Sequence, residues 1–153
     1  MFAANDLRNS GFLGFVPWSE LAPSGIPDRS GVYAVLHPAH DNPSFAARSC
    51  GGHFKGRDPS VALDVLSRKW LAGVETVYIG KATSLRKRLG QYRSFGMGQP
   101  VGHWGGRFIW QLADPGELRV CWKSSATPEL DESAMLRDFA ALHGSLPFAN
   151  LRY

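Results

Sequence analysis

The sequence predicts a mixed α/β (α+β) domain, and two observations carry that expectation. Three short runs rich in β-branched and aromatic residues, GVYAVL at Gly31–Leu36, ETVYIGKA at 75–82 and ELRVCWKSS at 117–125, are bounded by turn residues, which is the pattern of strands. Between and after them lie segments with apolar residues at helical spacing and recognisable start and stop signals. A chain of 153 residues, 44% hydrophobic and 20% charged, is long enough to bury one core, so one domain spanning 1–153 is expected.

Taken in order, the first third is the least legible, because Gly and Pro interrupt it repeatedly. GVYAVL, entered through SGIPDRS, reads as a buried strand. The following HPAHDNPSFAARSCGGHFKGR is loop-like, and DPSVALDVLSRKWLAG carries Asp58 as N-cap, Pro59 at the first helical position and Gly73 as stop, so a helix is expected there. After the second strand, Thr83 or Ser84 caps a helix in which Leu85, Leu89 and Tyr92 share one face and Arg86, Lys87 and Arg93 point away. HWGGRFIWQLAD reads as helix from the spacing of Phe108, Ile109 and Leu112. The third strand alternates Leu118, Val120 and Trp122 on one face. In the last helix Thr127 is N-cap, Pro128 is N1, acidic residues fill the first turns and Gly144 is the stop.

Net charge of +4 and a pI near 9.3 favour a polyanionic partner, although charge alone discriminates weakly. The N-terminus lacks a basic stretch followed by an uninterrupted apolar one, and no apolar run approaches the roughly 18 residues of a membrane span. Two cysteines, Cys50 and Cys121, make no disulfide framework. A cytoplasmic protein that does not enter membranes is expected.

The motifs then carry a resemblance. GVY at 31–33, YIG at 78–80, Arg88 ten positions after Tyr78, Glu132 on a later helix and a closing PFAN at 147–150 resemble the GIY-YIG endonuclease family. The run YIGKATSLRKRLGQY is similar to the corresponding run in the N-terminal nuclease domain of the bacterial excision-repair nuclease, where a lysine follows the glycine of YxG and a tyrosine follows the arginine by four. Either short motif alone means little; both in order, with Arg88, Glu132 and Asn150, are specific. The resemblance implies a small three-stranded antiparallel sheet flanked by helices. It departs from the family in one respect: Tyr33 and Tyr78 stand 45 residues apart, where a compact family core has a short hairpin, so residues 37–73 form a helix-containing insertion.

Hydrolysis of a phosphodiester needs an activated water, compensation of charge on the phosphate and help for the leaving oxygen. Mg²⁺, or Mn²⁺ in its place, asks for only one or two protein carboxylates. Helical geometry singles out Glu132: at about 100° per residue it lies within about 30° of the middle of the stripe Met135, Leu136, Phe139 and Leu142, whereas Glu129 lies about 90° away. Asp131, nearer the stripe's edge, is the other local acid. The planar fork of Arg88 suits a phosphate oxygen. By resemblance, Tyr33 takes the proton from water, its phenol lowered by Lys81, Arg88 and the metal, while Tyr78 positions water or phosphate. Tyr92 and His103 are auxiliary, Asn150 holds the site together by hydrogen bonds, and Glu132 is the metal ligand. As ordinary residues, the two tyrosines are buried strand side chains with hydroxyls at a rim, and Asn150 is a turn asparagine.

Arg86, Lys87 and Arg93, together with Lys55 and Arg57 of the insertion, are expected to track a nucleic-acid backbone. A competing constellation, His37, His40, Cys50 and His53, has the pairwise spacing of a zinc site; scattered loop histidines are the plainer reading. The expected function is metal-dependent hydrolysis of phosphodiester bonds in DNA. The alternative is a non-catalytic nucleic-acid-binding module on the same fold.

Overall fold

In the computed structural model, which describes residues 2–38 and 42–152, the chain runs α1 (Ala4–Asn9), β1 (Leu13–Pro17), β2 (Gly31–Leu36), α2 (Leu63–Lys69), β3 (Thr76–Ala82), α3 (Leu85–Gly96), β4 (Arg119–Ser124) and α4 (Pro128–His143), with short 3₁₀ segments between them. The four strands form one antiparallel sheet in the order β1-β4-β2-β3. All six residues of β2 are buried, as an inner strand covered on both faces requires. Among the described residues, no helix is long and apolar enough to cross a membrane.

The period-two alternation of strands distributes the side chains between two layers. Val32, Ala34, Leu36, Ile79 and Cys121 pack on one face with Leu7 of α1 and Leu136 and Phe139 of α4. Tyr33, Val35, Tyr78, Val120 and Trp122 face the other way, onto Leu85, Leu89, Tyr92 and Phe95 of α3 and onto Phe108, Ile109 and Trp110. Leu85, Leu89 and Tyr92 are fully buried, each worth about 1.5–3 kcal/mol of apolar burial. The register slips where β2 meets β3: Val35 pairs with Tyr78 but Leu36 pairs with Thr76. This bulge lets Val77 and Tyr78 both enter the α3 layer, re-aiming side chains as bulges do.

Three expectations need correction. The sheet has four strands, because β1 pairs with β4. LGFVP escapes a pattern search since Leu13 is exposed, Phe15 has φ 59° in a bulge and Pro17 closes the strand. The helix expected from Asp58 to Gly73 shrinks to α2. Asp58 instead accepts from the Ser60 amide at 2.9 Å, and Gln111 holds Val61 extended, accepting from its amide at 2.9 Å and donating to its carbonyl at 2.7 Å. Finally, residues 104–111 are 3₁₀ turns rather than an α-helix, broken at Gly106 with φ −106° and ψ 20°. The insertion docks along this same backbone through Ala46 N to Gln111 O at 2.8 Å and Cys50 N to Trp110 O at 3.1 Å.

Candidate active site

β3 is an edge strand, and its outward backbone would be left unpaired without a partner. Asn150 supplies one. Its amide side chain accepts from the Ile79 N–H and donates to the Ile79 carbonyl, both at 2.9 Å, while Ala149 N donates to Val77 O at 2.8 Å. An asparagine side chain presents one acceptor and one donor as a neighbouring strand would, so PFAN pads the strand that carries YIG.

A cleft of about 600 Å³ opens beside that edge, lined by Tyr78, Lys81, Trp104, Glu132, Asn150 and their neighbours. Glu132 reaches it from α4. With Leu136 and Phe139 buried but Leu142 exposed, the inward stripe is narrower than the sequence suggests, and Glu132 lies within about 10° of its centre. Its side chain is 16% exposed, and Oε1 stands 3.9 Å from Lys81 Nζ. Burial pushes its carboxyl up, Lys81 opposes that shift and Glu129 adds to it. Burial likewise pushes the Tyr78 phenol up to about 12; Arg88 pulls it down, Glu132 pushes it up, and the neighbouring Tyr33 hydroxyl lowers it.

Behind Tyr78 lies a sealed aromatic cluster. Tyr33 pairs across the sheet with Gly80, where a Cβ would overlap the Tyr33 ring; the glycine of YIG is there to admit this ring. The Tyr33 hydroxyl lies 2.7 Å from His103 Nε2. His103 stacks on Tyr92 with centroids 3.5 Å apart and planes 6° from parallel, and Tyr92 donates to Gly106 O at 2.6 Å. A side chain at Gly106 would strike that hydroxyl. Burial holds His103 well below the usual histidine range, with Arg88 adding to the effect, so the ring is neutral. Burial holds Tyr33 and Tyr92 well above the usual phenol value. This reverses the expectation for Tyr33 in the protein alone: Arg88 does lower its phenol, but desolvation outweighs it. Arg88 itself donates from Nη1 to Gly102 O at 2.7 Å, tying α3 to the segment that carries His103.

The site residues expected from sequence thus separate into two groups. Tyr78, Lys81, Glu132 and Asn150 line the cleft; Tyr33, Arg88, Tyr92 and His103 adjoin Tyr78 from behind, with ring centroids 5.4–6.0 Å away for the three rings. The backbone-tracking set is scattered. Arg86 donates to Ile26 O at 2.9 Å, Lys87 lies exposed on the first turn of α3, Arg93 lines a separate groove with Trp18 and Trp110, and Lys55 Nζ stands 5.3 Å from the Phe54 ring. Arg57 alone of the five contacts a described cleft-lining side chain, 5.3 Å above Trp104. Sequence reasoning overlooked Trp104 and Arg107; the interleaved aromatic and basic residues of HWGGRFIW were the available signal.

Of the competing constellation, His40 lies outside the described residues. His37 meets Trp70 edge to face, with ring centroids 4.9 Å apart, Cys50 Sγ bonds Trp110 O at 3.4 Å and His53 is 3.9 Å from Asp58. Among the described residues, no group of three or more His, Cys, Asp and Glu side chains could hold a metal. Glu132 is nevertheless a fitting donor for Mg²⁺: one carboxylate in a roomy cleft, its charge made costly by burial, leaving most coordination positions to water and phosphate. Comparison with protein-family models, with curated proteins and with solved structures finds no match for the chain.

Proposed function

We propose that the chain is a GIY-YIG-type endonuclease that hydrolyses phosphodiester bonds in DNA with Mg²⁺ or Mn²⁺. The observation that carries this reading is the convergence of Tyr78, Lys81 and Glu132 from β3 and α4 on one cleft, with Asn150 bracing the strand between them. A divalent ion held by Glu132 supplies Lewis-acid stabilisation of the charge that builds on the phosphate. Lys81 adds a fixed cation on the same side. The general-base role expected of Tyr33 passes to Tyr78, the tyrosine that lines the cleft. Tyr33 then acts through it, its neighbouring hydroxyl lowering the proton affinity of Tyr78, while His103 Nε2 pairs with Tyr33 at 2.7 Å. Lys81 lines the cleft beside Tyr78, and a divalent ion held at Glu132 would add positive charge there, favouring the phenolate of Tyr78 as the group that takes the proton from water.

A second reading, a DNA-binding module without catalysis, draws on one observation: the Tyr33, Tyr78 and Tyr92 rings are all buried, which favours their protonated phenols. The two readings separate when purified protein is mixed with supercoiled, linear duplex and single-stranded DNA, with and without Mg²⁺ or Mn²⁺. The nuclease reading expects metal-dependent nicking. Binding with no cleavage under either metal leaves the module.

A further inference from the structure

At the mouth of the cleft two guanidiniums share one indole. Arg57 Cζ lies 5.3 Å and Arg107 Cζ 4.6 Å from the Trp104 ring centroid, and Arg107 Nη1 also donates to the Trp104 carbonyl at 3.1 Å. These residues come from distant parts of the chain, Arg57 from the insertion and Arg107 from the 3₁₀ turns after α3. Trp104 lines the cleft together with Lys81 and Glu132. Cation–π attraction holds each guanidinium over the ring, yet the two cations repel one another, and Arg107 loses proton affinity through burial and through Arg57. Neither arginine has a carboxylate within ion-pair distance among the described residues. Asp58, next to Arg57 in sequence, is engaged by Arg48 at 2.9 Å. Lys69 adds a third cation nearby, 5.9 Å from the Phe108 ring, over which Arg107 also lies at 5.3 Å.

Like charges held together without a counter-ion are relieved by an anion. We propose that Arg57 and Arg107, clamped on Trp104, form a phosphate subsite that grips a DNA backbone phosphate flanking the one hydrolysed in the cleft. The inference rests on the nuclease reading for its choice of ligand, but it concerns grip and not chemistry. Paired planar forks suit phosphate oxygens. The subsite also gives the insertion a purpose: it delivers Arg57 to an indole that the rest of the chain supplies.

The test is metal-free binding of a fluorescently labelled duplex oligonucleotide, measured in EDTA across a range of KCl, with circular dichroism to establish folding. Each neutralised phosphate lost should reduce the slope of log K against log[KCl] by about 0.9. Both guanidiniums grip one phosphate, so R57A/R107A is expected to lower the slope by about 0.9 and R107A by part of that. W104A, which frees both guanidiniums, should weaken binding about as much as the double variant. R107K keeps the charge and loses the fork, so its slope should be nearly retained while affinity falls. Inorganic phosphate at millimolar concentration should compete with the oligonucleotide for the wild type and not for R57A/R107A. An unchanged slope in the double variant overturns the subsite, even if the protein nicks DNA. Slopes that fall as stated while no metal supports nicking uphold the subsite and sink the nuclease reading instead.

Discussion

The two sides of the Tyr78 ring treat ionisable groups in opposite ways. Behind it, Tyr33, Tyr92 and His103 are 1%, 0% and 0% exposed, and burial holds the phenols up and the imidazole down, so all three are neutral. In front, Glu132 and Lys81 keep 16% and 45% of their side chains in solvent and face each other at 3.9 Å. The difference teaches a division of labour: a dry cluster that fixes geometry, and a wetter cleft that keeps charged side chains which, on the proposed nuclease reading, would meet a polyanion and its cation. Tyr78 stands at the boundary and answers to both.

Breaking the charged side should have the largest effect. Glu132→Gln keeps shape and removes the charge that, on the proposed reading, attracts the ion. Plasmid nicking is expected to be lost at ordinary Mg²⁺, while metal-free DNA binding persists or tightens. Asp131→Asn is the paired control. Asp131 accepts hydrogen bonds from Ser125 Oγ and from Thr127 Oγ1, so it belongs to the start of α4 and not to the cleft; its loss should leave nicking nearly intact. Cleavage by Glu132→Gln at the wild-type rate would remove the one-carboxylate metal site.

The boundary tyrosine comes next. Tyr78→Phe should lower turnover by about 10²–10⁴, the range for losing a general base. Tyr33→Phe, one ring further back, should cost less turnover and move the ascending limb of the pH–rate profile, which a general base sets, to higher pH, because Tyr78 loses a neighbouring hydroxyl that lowers its proton affinity. Equal losses with an unmoved profile would assign the base to Tyr33 after all.

Legibility follows the same divide. The elements with strong local chemistry could be read: GVYAVL and YIG as strands, the Ser84 cap of α3 with Leu85, Leu89 and Tyr92 inward, and α4 from its Pro128 start to its Gly144 stop. Glu132 could be placed because helical angles are set by the backbone alone. What could not be read depended on distant partners. β1 exists through pairing with β4, 102 to 109 positions away along the chain. α2 is short because Gln111 clamps Val61. Tyr33 is sealed by a histidine 70 residues later, so its desolvation was invisible from a motif that shows only nearby cations. The Arg57–Trp104–Arg107 cluster likewise needs the insertion folded back onto the turns after α3.

The edge brace gives a smaller, structural effect. Asn150→Ala leaves the Ile79 N–H and carbonyl without their partners, both buried. Unsatisfied buried groups cost about 1–3 kcal/mol each, less where water enters, so a loss of about 2–4 kcal/mol in chemical denaturation is expected. Asn150→Asp keeps the acceptor for Ile79 N–H but sets a carboxylate oxygen against the Ile79 carbonyl, and should rescue little. A stability change below 1 kcal/mol would show that PFAN pads β3 by packing alone.

The dry side predicts the smallest effect, and its sign can be worked out. His103 is held neutral by burial, first of all, with Arg88 adding to it; its Nδ1 has no hydrogen-bond partner among the described residues. The unfolded chain titrates its histidine near about 6.5. Below that pH the unfolded state binds a proton that the folded state refuses, so stability is full above about 6.5 and falls as pH drops toward the lower folded value, by at most about 1.4 kcal/mol per pH unit. Glu132 acts in the opposite sense, because its raised carboxyl takes up a proton in the folded state before the unfolded one does, which offsets part of the loss at more acidic pH. His103→Phe keeps an aromatic ring against Tyr92 and cannot protonate. Urea unfolding of both proteins between pH 7 and 5.5 should give a declining stability for the wild type and a flatter one for the variant, with every other histidine cancelling in the difference. Parallel curves would mean that protonation of His103 is tolerated where it stands, and the cluster behind Tyr78 would then be wet and not dry.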